Sequence, residues 1–277
     1  MIQIGKSYSL EVVKQVNFGV YLNAEELGQV LLPNKFAPKG CQVGDMVDVF
    51  LYLDSEDIVI ATTQTPYAEV GDFAYLEAIA TGPFGAFLDW GLDKDLLLPF
   101  GEQHRHIEEG KSYLVYVHAN KADERIMASA KVDKFLDKTP AEYKVGEEVD
   151  LIIGGSTDLG FKAIINHAHW GVLYQNEVFQ RLSFGQSIKG FIKLVREDGK
   201  VDLILQKDSQ QSFDKNAETI INKLHRSGGF LPLNDKTDSA IIYDQLAMSK
   251  KAFKRSIGGL FKAEQISIEP DGIKLLK

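Results

Sequence analysis

Three glycines recur at one fixed spacing three times along the chain. Gly5 stands 14 residues before Gly19 and Gly44 stands 25 after it. The same offsets of 14 and 25 place Gly71 and Gly110 around Gly85, and Gly146 and Gly185 around Gly160. The copies read "NFGVYLNAEELGQVLLPNKF" and "PFGAFLDWGLDKDLLLPFGE", with Pro33 and Pro99 each 14 residues past the central glycine. In the third copy Tyr174 takes the proline's place and Leu159-Gly160 replaces Phe-Gly. A residue without a side chain at a fixed place marks backbone that bends, turns or meets another strand closely. A chain that repeats such marks is built from repeated supersecondary units, here of about 60 to 70 residues each.

Each unit holds five short β-rich runs separated by Gly, Asn, Asp or Pro. In the first they are "YSLEVVKQ", "GVYLN", "GQVLLP", "MVDVFLYLD" and "DIVIATT"; the other two supply matching sets. Five strands in so short a span predict a small closed barrel, most commonly the oligonucleotide-binding form, and domains of this size fold alone. After Gln206 the pattern turns helical. Ile220, Ile221 and Leu224 lead to Gly228-Gly229, and Ile241, Ile242 and Leu246 follow a cap at Asp238 or Ser239. Ser249 caps a third helix, on which Phe253, Ile257, Leu260 and Phe261 are expected to form one buried stripe. Gly258-Gly259 inside it costs stability, which points either to a partner's backbone coming close or to an early end of the helix. "QISIEPDGIKLLK" reads as a hairpin around Pro270-Asp271-Gly272. Three helices closed by a hairpin predict a winged helix-turn-helix. The expected fold is therefore mainly β with a C-terminal α+β domain: barrels over 1–66, 67–136 and 143–207, then a winged helix over 211–277.

The run Phe18-Gly19-Val20-Tyr21-Leu22, then Leu31-Leu32-Pro33 and Val43-Gly44-Asp45-Met46-Val47, resembles the S1 RNA-binding domain. The second copy resembles it equally and the third more loosely. Three such barrels ahead of a winged helix resemble the conserved virulence factor B family of bacteria. That resemblance implies RNA binding and a part in post-transcriptional control of gene expression. It also implies where S1 domains meet RNA: the aromatic of Phe-Gly, the aromatic two residues past that glycine, the position fourteen past it, and a basic residue opening the last strand. The first copy offers Phe18, Tyr21 and Pro33, but Glu56 and Asp57 where the cation belongs. The second offers Phe84, Phe87, Pro99 and Arg125; the third offers Leu159, Lys162, Tyr174 and Lys200. The histidine common at the fourteenth position in the family is absent from all three copies.

Charge separates the copies. The net charge is −8, and residues 1–69 hold four basic against nine acidic side chains. Residues 208–277 hold eleven against nine. Phosphates are repelled by the front of the chain and tolerated by its back. Asp48, Phe50 and Tyr52 in the first copy correspond to Lys189, Phe191 and Lys193 in the third, three positions that alternation places on one strand face. Aromatics interleaved with cations suit single-stranded nucleic acid, since a base stacks on the ring while the cations hold phosphates. The aromatic also recurs as Tyr116, so packing against a neighbouring domain explains the ring itself, though not the lysines. On the third helix Lys251, Arg255 and Lys262 lie opposite the apolar stripe, flanked by Lys250 and Lys254. The expected RNA-binding set is thus Lys162, Tyr174, Lys189, Phe191, Lys193, Arg196, Lys200, Lys250, Lys251, Lys254, Arg255 and Lys262, with Phe84, Phe87 and Arg125 as a weaker group. Duplex DNA is an alternative ligand. A protein partner at the acidic first two barrels is another.

No catalytic arrangement is legible: there is no Gly-rich phosphate loop and no nucleophile elbow. His104 and His106, or His167 and His169, make pairs without a third ligand, so no metal site and no cofactor is expected. Trp90 and Trp170 are expected to plug barrel ends. The single cysteine, Cys41, excludes an internal disulfide. With no apolar run near 20 residues and no basic-then-apolar start, the expectation is a cytoplasmic protein without a membrane partner.

Overall fold

In each copy the first strand is the longest, and it serves two neighbours. This computed structural model describes residues 1–120, 123–178, 180–205 and 210–276, with the first six residues of the last stretch described as backbone only. The first barrel comprises β1 (Ser7–Val16), β2 (Gly19–Asn23), β3 (Gln29–Pro33), β4 (Met46–Leu53) and β5 (Val59–Thr62). The second comprises β6 (Phe73–Gly82), β7 (Gly85–Leu88), β8 (Leu96–Pro99), β9 (Ser112–Ala119) and β10 (Ile126–Ser129). The third comprises β11 (Glu148–Thr157), β12 (Gly160–Ile165), β13 (His169–Tyr174), β14 (Ser187–Val195) and β15 (Val201–Ile204). All three close in the order first-second-third-fifth-fourth strand. Residues 7–11 of β1 pair with β4, and residues 12–16 pair with β2. The register slips between Val12 and Lys14, and likewise between Ala78 and Ala80 and between Ile153 and Gly155. Such a bulge bends a strand, and here it lets one strand bend from one neighbour to the other.

The central glycines show why the repeat is strict. Gly19 pairs with Pro33, Gly85 with Pro99 and Gly160 with Tyr174. A methyl group on them would lie 2.3, 2.2 and 2.1 Å from the carbonyl oxygens of Leu32, Leu98 and Leu173. No side chain fits there, so the requirement is close approach.

By contact density the chain separates into two units, Met1–Lys138 and Thr139–Lys277. Within the first, the two barrels share a core. Phe50 is 1% exposed and meets Trp90 edge-to-face at 5.6 Å, with Tyr52 stacked behind it. Ile60 of β5 also packs on the cluster that holds Leu92 and Leu96. Lys94 Nζ donates to the Leu53 and Asp54 carbonyls at 2.8 and 2.7 Å, and Trp90 Nε1 donates to the Lys94 carbonyl at 2.6 Å. Burial pulls the Lys94 ammonium below its usual range. Phe50 and Tyr116 are thus packing aromatics: Tyr116 stacks at 4.0 Å on Phe135, which follows the second barrel.

In the second unit the third barrel has its own core of Leu151, Ile153, Ile165, Ile192 and Leu203. The expected end of that domain at residue 207 lies outside the described residues. The tail folds as α1 (Gln210–Arg226), β16 (Phe230–Leu231), α2 (Ser239–Leu246), α3 (Lys250–Lys262), β17 (Ile266–Glu269) and β18 (Gly272–Leu275). Asp238 caps α2 by accepting from the Ala240 amide at 2.8 Å, and Ser249 caps α3 through Ala252 at 2.9 Å. The hairpin gains a third strand, in the order β16-β18-β17. On α3 one open alternative closes and one expectation changes. The helix runs unbroken through Gly258-Gly259 to Lys262. Its buried residues are Phe253, Ser256, Ile257 and Leu260, whereas Phe261 is 53% exposed. Each residue advances about 100° around a helix, and the single step past Leu260 carries Phe261 out of the stripe.

Replacing Gly85 with alanine should cost about 3 kcal/mol or more in urea unfolding, because the added methyl meets backbone that cannot yield. Gly101→Ala, whose methyl would meet nothing within 4 Å, should stay within about 0.5 kcal/mol. A second expectation concerns the barrel junction, where Arg125 of the second barrel donates to both carboxylate oxygens of Asp57 in the first. That bond holds the Asp57 carboxyl below the usual aspartate range. A lowered folded pKa contributes stability above the unfolded value of about 3.9, and the contribution is lost as pH falls through the lower one. Asp57→Asn should therefore flatten the loss of stability seen below about pH 4, read as urea midpoints across a pH series.

Candidate nucleic-acid interface

Alternation decides what the third barrel shows to solvent. Gly171 and Leu173 of β13 point into the core, so Trp170, Val172 and Tyr174 lie on the outer face. On β12 the same reasoning turns Ala163 and Ile165 inward and Lys162 outward. Lys162 pairs with Val172 across the strands, and its ammonium sits 4.0 Å from the centre of the Trp170 ring. Trp170 is therefore a half-buried outer-face residue and does not plug a barrel end. This cation–π pair was not legible as a pair, although the glycine register that puts Gly160 opposite Tyr174 contains it.

A second cluster forms around Tyr174. Asp202, on β15 beside β13, is 7% exposed, yet it lies on the outer face between the inward Val201 and Leu203. Arg196 donates to Asp202 at 2.7 Å and to the Tyr174 hydroxyl, which in turn donates to Asp202 at 3.3 Å. The Asp202 carboxylate raises the Arg196 guanidinium above its usual range. Lys193 stands 5.6 Å from the Tyr174 ring centre and donates to both Glu177 oxygens at 2.6 and 2.8 Å. Lys200, in the turn between β14 and β15, pairs with Asp198 at 3.1 Å and lowers that carboxyl through the bond.

Lys189, Phe191 and Lys193 alternate with the inward Gly190 and Ile192, but they reach different neighbours. The β14–β15 register slips between Ile192 and Leu194, so Lys193 is the extra residue of a bulge. It reaches toward Tyr174, while Lys189 pairs with Asp150 on β11, at 2.6 Å. Phe191 is half-buried between Glu148 of β11 and Ile204 of β15. The structure thus gathers Tyr174, Lys193 and Arg196 into one cluster, with Lys162 on the strand beside it, and sets Lys189 apart.

The first two barrels carry a different outer face. Phe87, Leu97 and Met127 line up across β7, β8 and β10, as Tyr21, Leu31 and Ile60 do in the first barrel. Phe18 and Phe84 are 58% and 72% exposed in the turns before Gly19 and Gly85. Arg125, the expected cation, is spent on Asp57. The acidic departure in the first copy and the basic residue of the second are two halves of one inter-barrel ion pair.

On α3 the expected basic residues stand on the outer face: Lys251, Lys254, Arg255 and Lys262 are exposed, and Lys250 donates to the Lys236 carbonyl at 3.3 Å. No residue of Lys250–Lys262 is acidic. Elsewhere, His169 is buried and tied on both ring nitrogens, accepting from Tyr143 at 2.7 Å and donating to the Thr139 carbonyl at 2.8 Å. Among the described residues no three His, Cys, Asp or Glu side chains gather where one metal ion could sit. No helix among them is long and apolar enough to cross a membrane.

Residues 4–64 match the S1 domain family, and residues 218–275 match the CvfB-like winged helix domain. The chain is 28% identical over 274 residues to uncharacterized protein YitL of Bacillus subtilis, covering 93% of this chain and 89% of that protein. It is 23% identical over 243 residues to conserved virulence factor B of Staphylococcus epidermidis, covering 85% and 82%. With an S1 domain at its front and a CvfB-like winged helix at its end, the chain is similar to the conserved virulence factor B family. A solved structure described as a multidomain protein with nucleic acid binding domains, from Streptococcus pneumoniae, aligns over 99% of this chain and 98% of its own, with 21% identity and a TM-score of 0.42. Neither matched domain is a catalytic one, and the S1 domain is a nucleic-acid-binding class.

The two tryptophans report separately on this geometry. Trp90 is 3% exposed and Trp170 half-buried on an open face. Trp170→Phe should remove the acrylamide-quenchable part of the emission and leave a protected, shorter-wavelength signal from Trp90.

Proposed function

We propose that this protein binds single-stranded RNA without catalysis, as a post-transcriptional regulator, through the outer face of its third barrel and α3. The observation that carries the reading is the exchange of residues on equivalent barrel faces. Where the second barrel presents Phe87 beside leucine and methionine, and the first presents Tyr21 beside leucine, isoleucine and a single lysine, Lys14, the third presents Lys162 over Trp170 and Lys193 and Arg196 beside Tyr174. Strands two and three and the adjoining loops are where oligonucleotide-binding barrels take their ligand. Rings interleaved with cations supply both stacking and phosphate contact. The acidic-free α3 adds five positive charges.

The first two barrels favour a second role, as a scaffold for a protein partner. Their candidate cation is committed to Asp57, and their exposed Phe18 and Phe84 stand on segments of net negative charge.

A salt titration of RNA anisotropy tests the reading. The full chain should bind a mixed-sequence single strand with an affinity that falls linearly in log salt. Each phosphate-contacting lysine of α3 changed to alanine should lower that slope by about 0.7. A salt-insensitive affinity, or a chain that prefers duplex DNA to single-stranded RNA in competition, would overturn it.

A further inference from the structure

The outer face of α3 holds two residues that the fold does not need where they stand. Gly258 lies in the middle of a regular helix, where glycine costs stability relative to alanine. A methyl group there would meet nothing within 4 Å, so no packing constraint explains it. Phe261 is 53% exposed although it follows directly on the buried Leu260. The two are neighbours. Residues three and four apart share a helix face, so Lys254 and Arg255 lie one turn before Gly258, and Phe261 and Lys262 one turn after it. A bare patch of backbone is thus framed by three cations and a phenyl ring, on a helix without a carboxylate.

We propose that Phe261 is a stacking platform for an unpaired base, and that the sugar–phosphate backbone crosses α3 over Gly258. Charge complementarity names the occupant: only a polyanion is favoured over this surface, and a flat exposed ring among cations suits one whose bases have a free face. A duplex offers its bases edge-on in grooves, already stacked, and must be unstacked before it can use the ring. The shared chemistry is that of single-stranded nucleic acid, RNA or DNA. The proposal rests on the reading that the tail of the chain takes nucleic acid, and it adds what this helix selects and where the strand runs.

The test uses the full chain with a mixed-sequence single-stranded RNA of about a dozen nucleotides, carrying one 2-aminopurine, its DNA counterpart, and the duplex. Phe261→Ala should weaken single-strand binding about tenfold and lose part of the 2-aminopurine quench. The salt slope should not change, because no phosphate contact is removed. Phe261→Trp should restore both. Gly258→Ala should unfold at the same or a higher temperature and yet bind more weakly, a combination that a purely structural glycine cannot produce. Unchanged quench and affinity in Phe261→Ala, alongside a wild type that binds with a normal salt slope, would overturn stacking while leaving the nucleic-acid reading intact. Unchanged affinity in Gly258→Ala would overturn the path over α3. A wild type that binds none of the three ligands would sink the nucleic-acid reading and this proposal together. The tighter of the RNA and DNA arms identifies the source of the strand.

Discussion

A carbonyl oxygen presses on a glycine in each barrel, and that contact positions most of what matters here. Leu32, Leu98 and Leu173 bring their oxygens so near Gly19, Gly85 and Gly160 that even a methyl is excluded. With the second strand seated that closely on the third, the residue fourteen positions on is always the glycine's cross-strand partner. Tyr174 inherits its place from this rule. The parallel pairing of β13 with β15 then delivers Asp202 alongside, and Asp202 holds Arg196. The chemistry of the third barrel's surface is therefore downstream of one backbone contact that carries no side chain at all.

That dependence explains which features could be read in advance. Glycine spacing is a property of backbone geometry and survives divergence of everything around it, so the barrels, their strands and their count were legible. So was the cap Ser249, and Asp238 as one of two candidates, because caps act locally. What was not legible depended on register. Lys193 is the extra residue of a bulge and reaches a different neighbour from Lys189, and alternation has no sign for that. Phe261 sits one step past a stripe edge, where a sequence pattern accepts either side. The strand Phe230–Leu231 is too short to show a period and exists through its pairing with β18. Trp170 could have been placed on the outer face from Gly171 and Leu173, had the inward residues been read first.

Charge counted along the chain and charge displayed by the fold also differ. Lys189, Lys193, Arg196 and Lys200 each face a carboxylate: Asp150, Glu177, Asp202 and Asp198. The pairs of Lys189 and Lys200 are exposed and contribute little to stability. Their consequence for a polyanion is larger, because each phosphate must compete with a carboxylate already in place. Lys162 is set over an indole, and α3 has no acid of its own.

The shared core of the first two barrels has a consequence for how the molecule is made. Phe50, Tyr52 and Ile60 belong to the first barrel by sequence but are covered by Trp90 and Leu92, which come later in the chain. As a nascent polypeptide leaves the ribosome, the first barrel can close its own interior while an oily flank still waits for its lid. Synthesis order thus imposes an interval in which that flank is open to chaperones or to self-association, and it ends when the next barrel arrives.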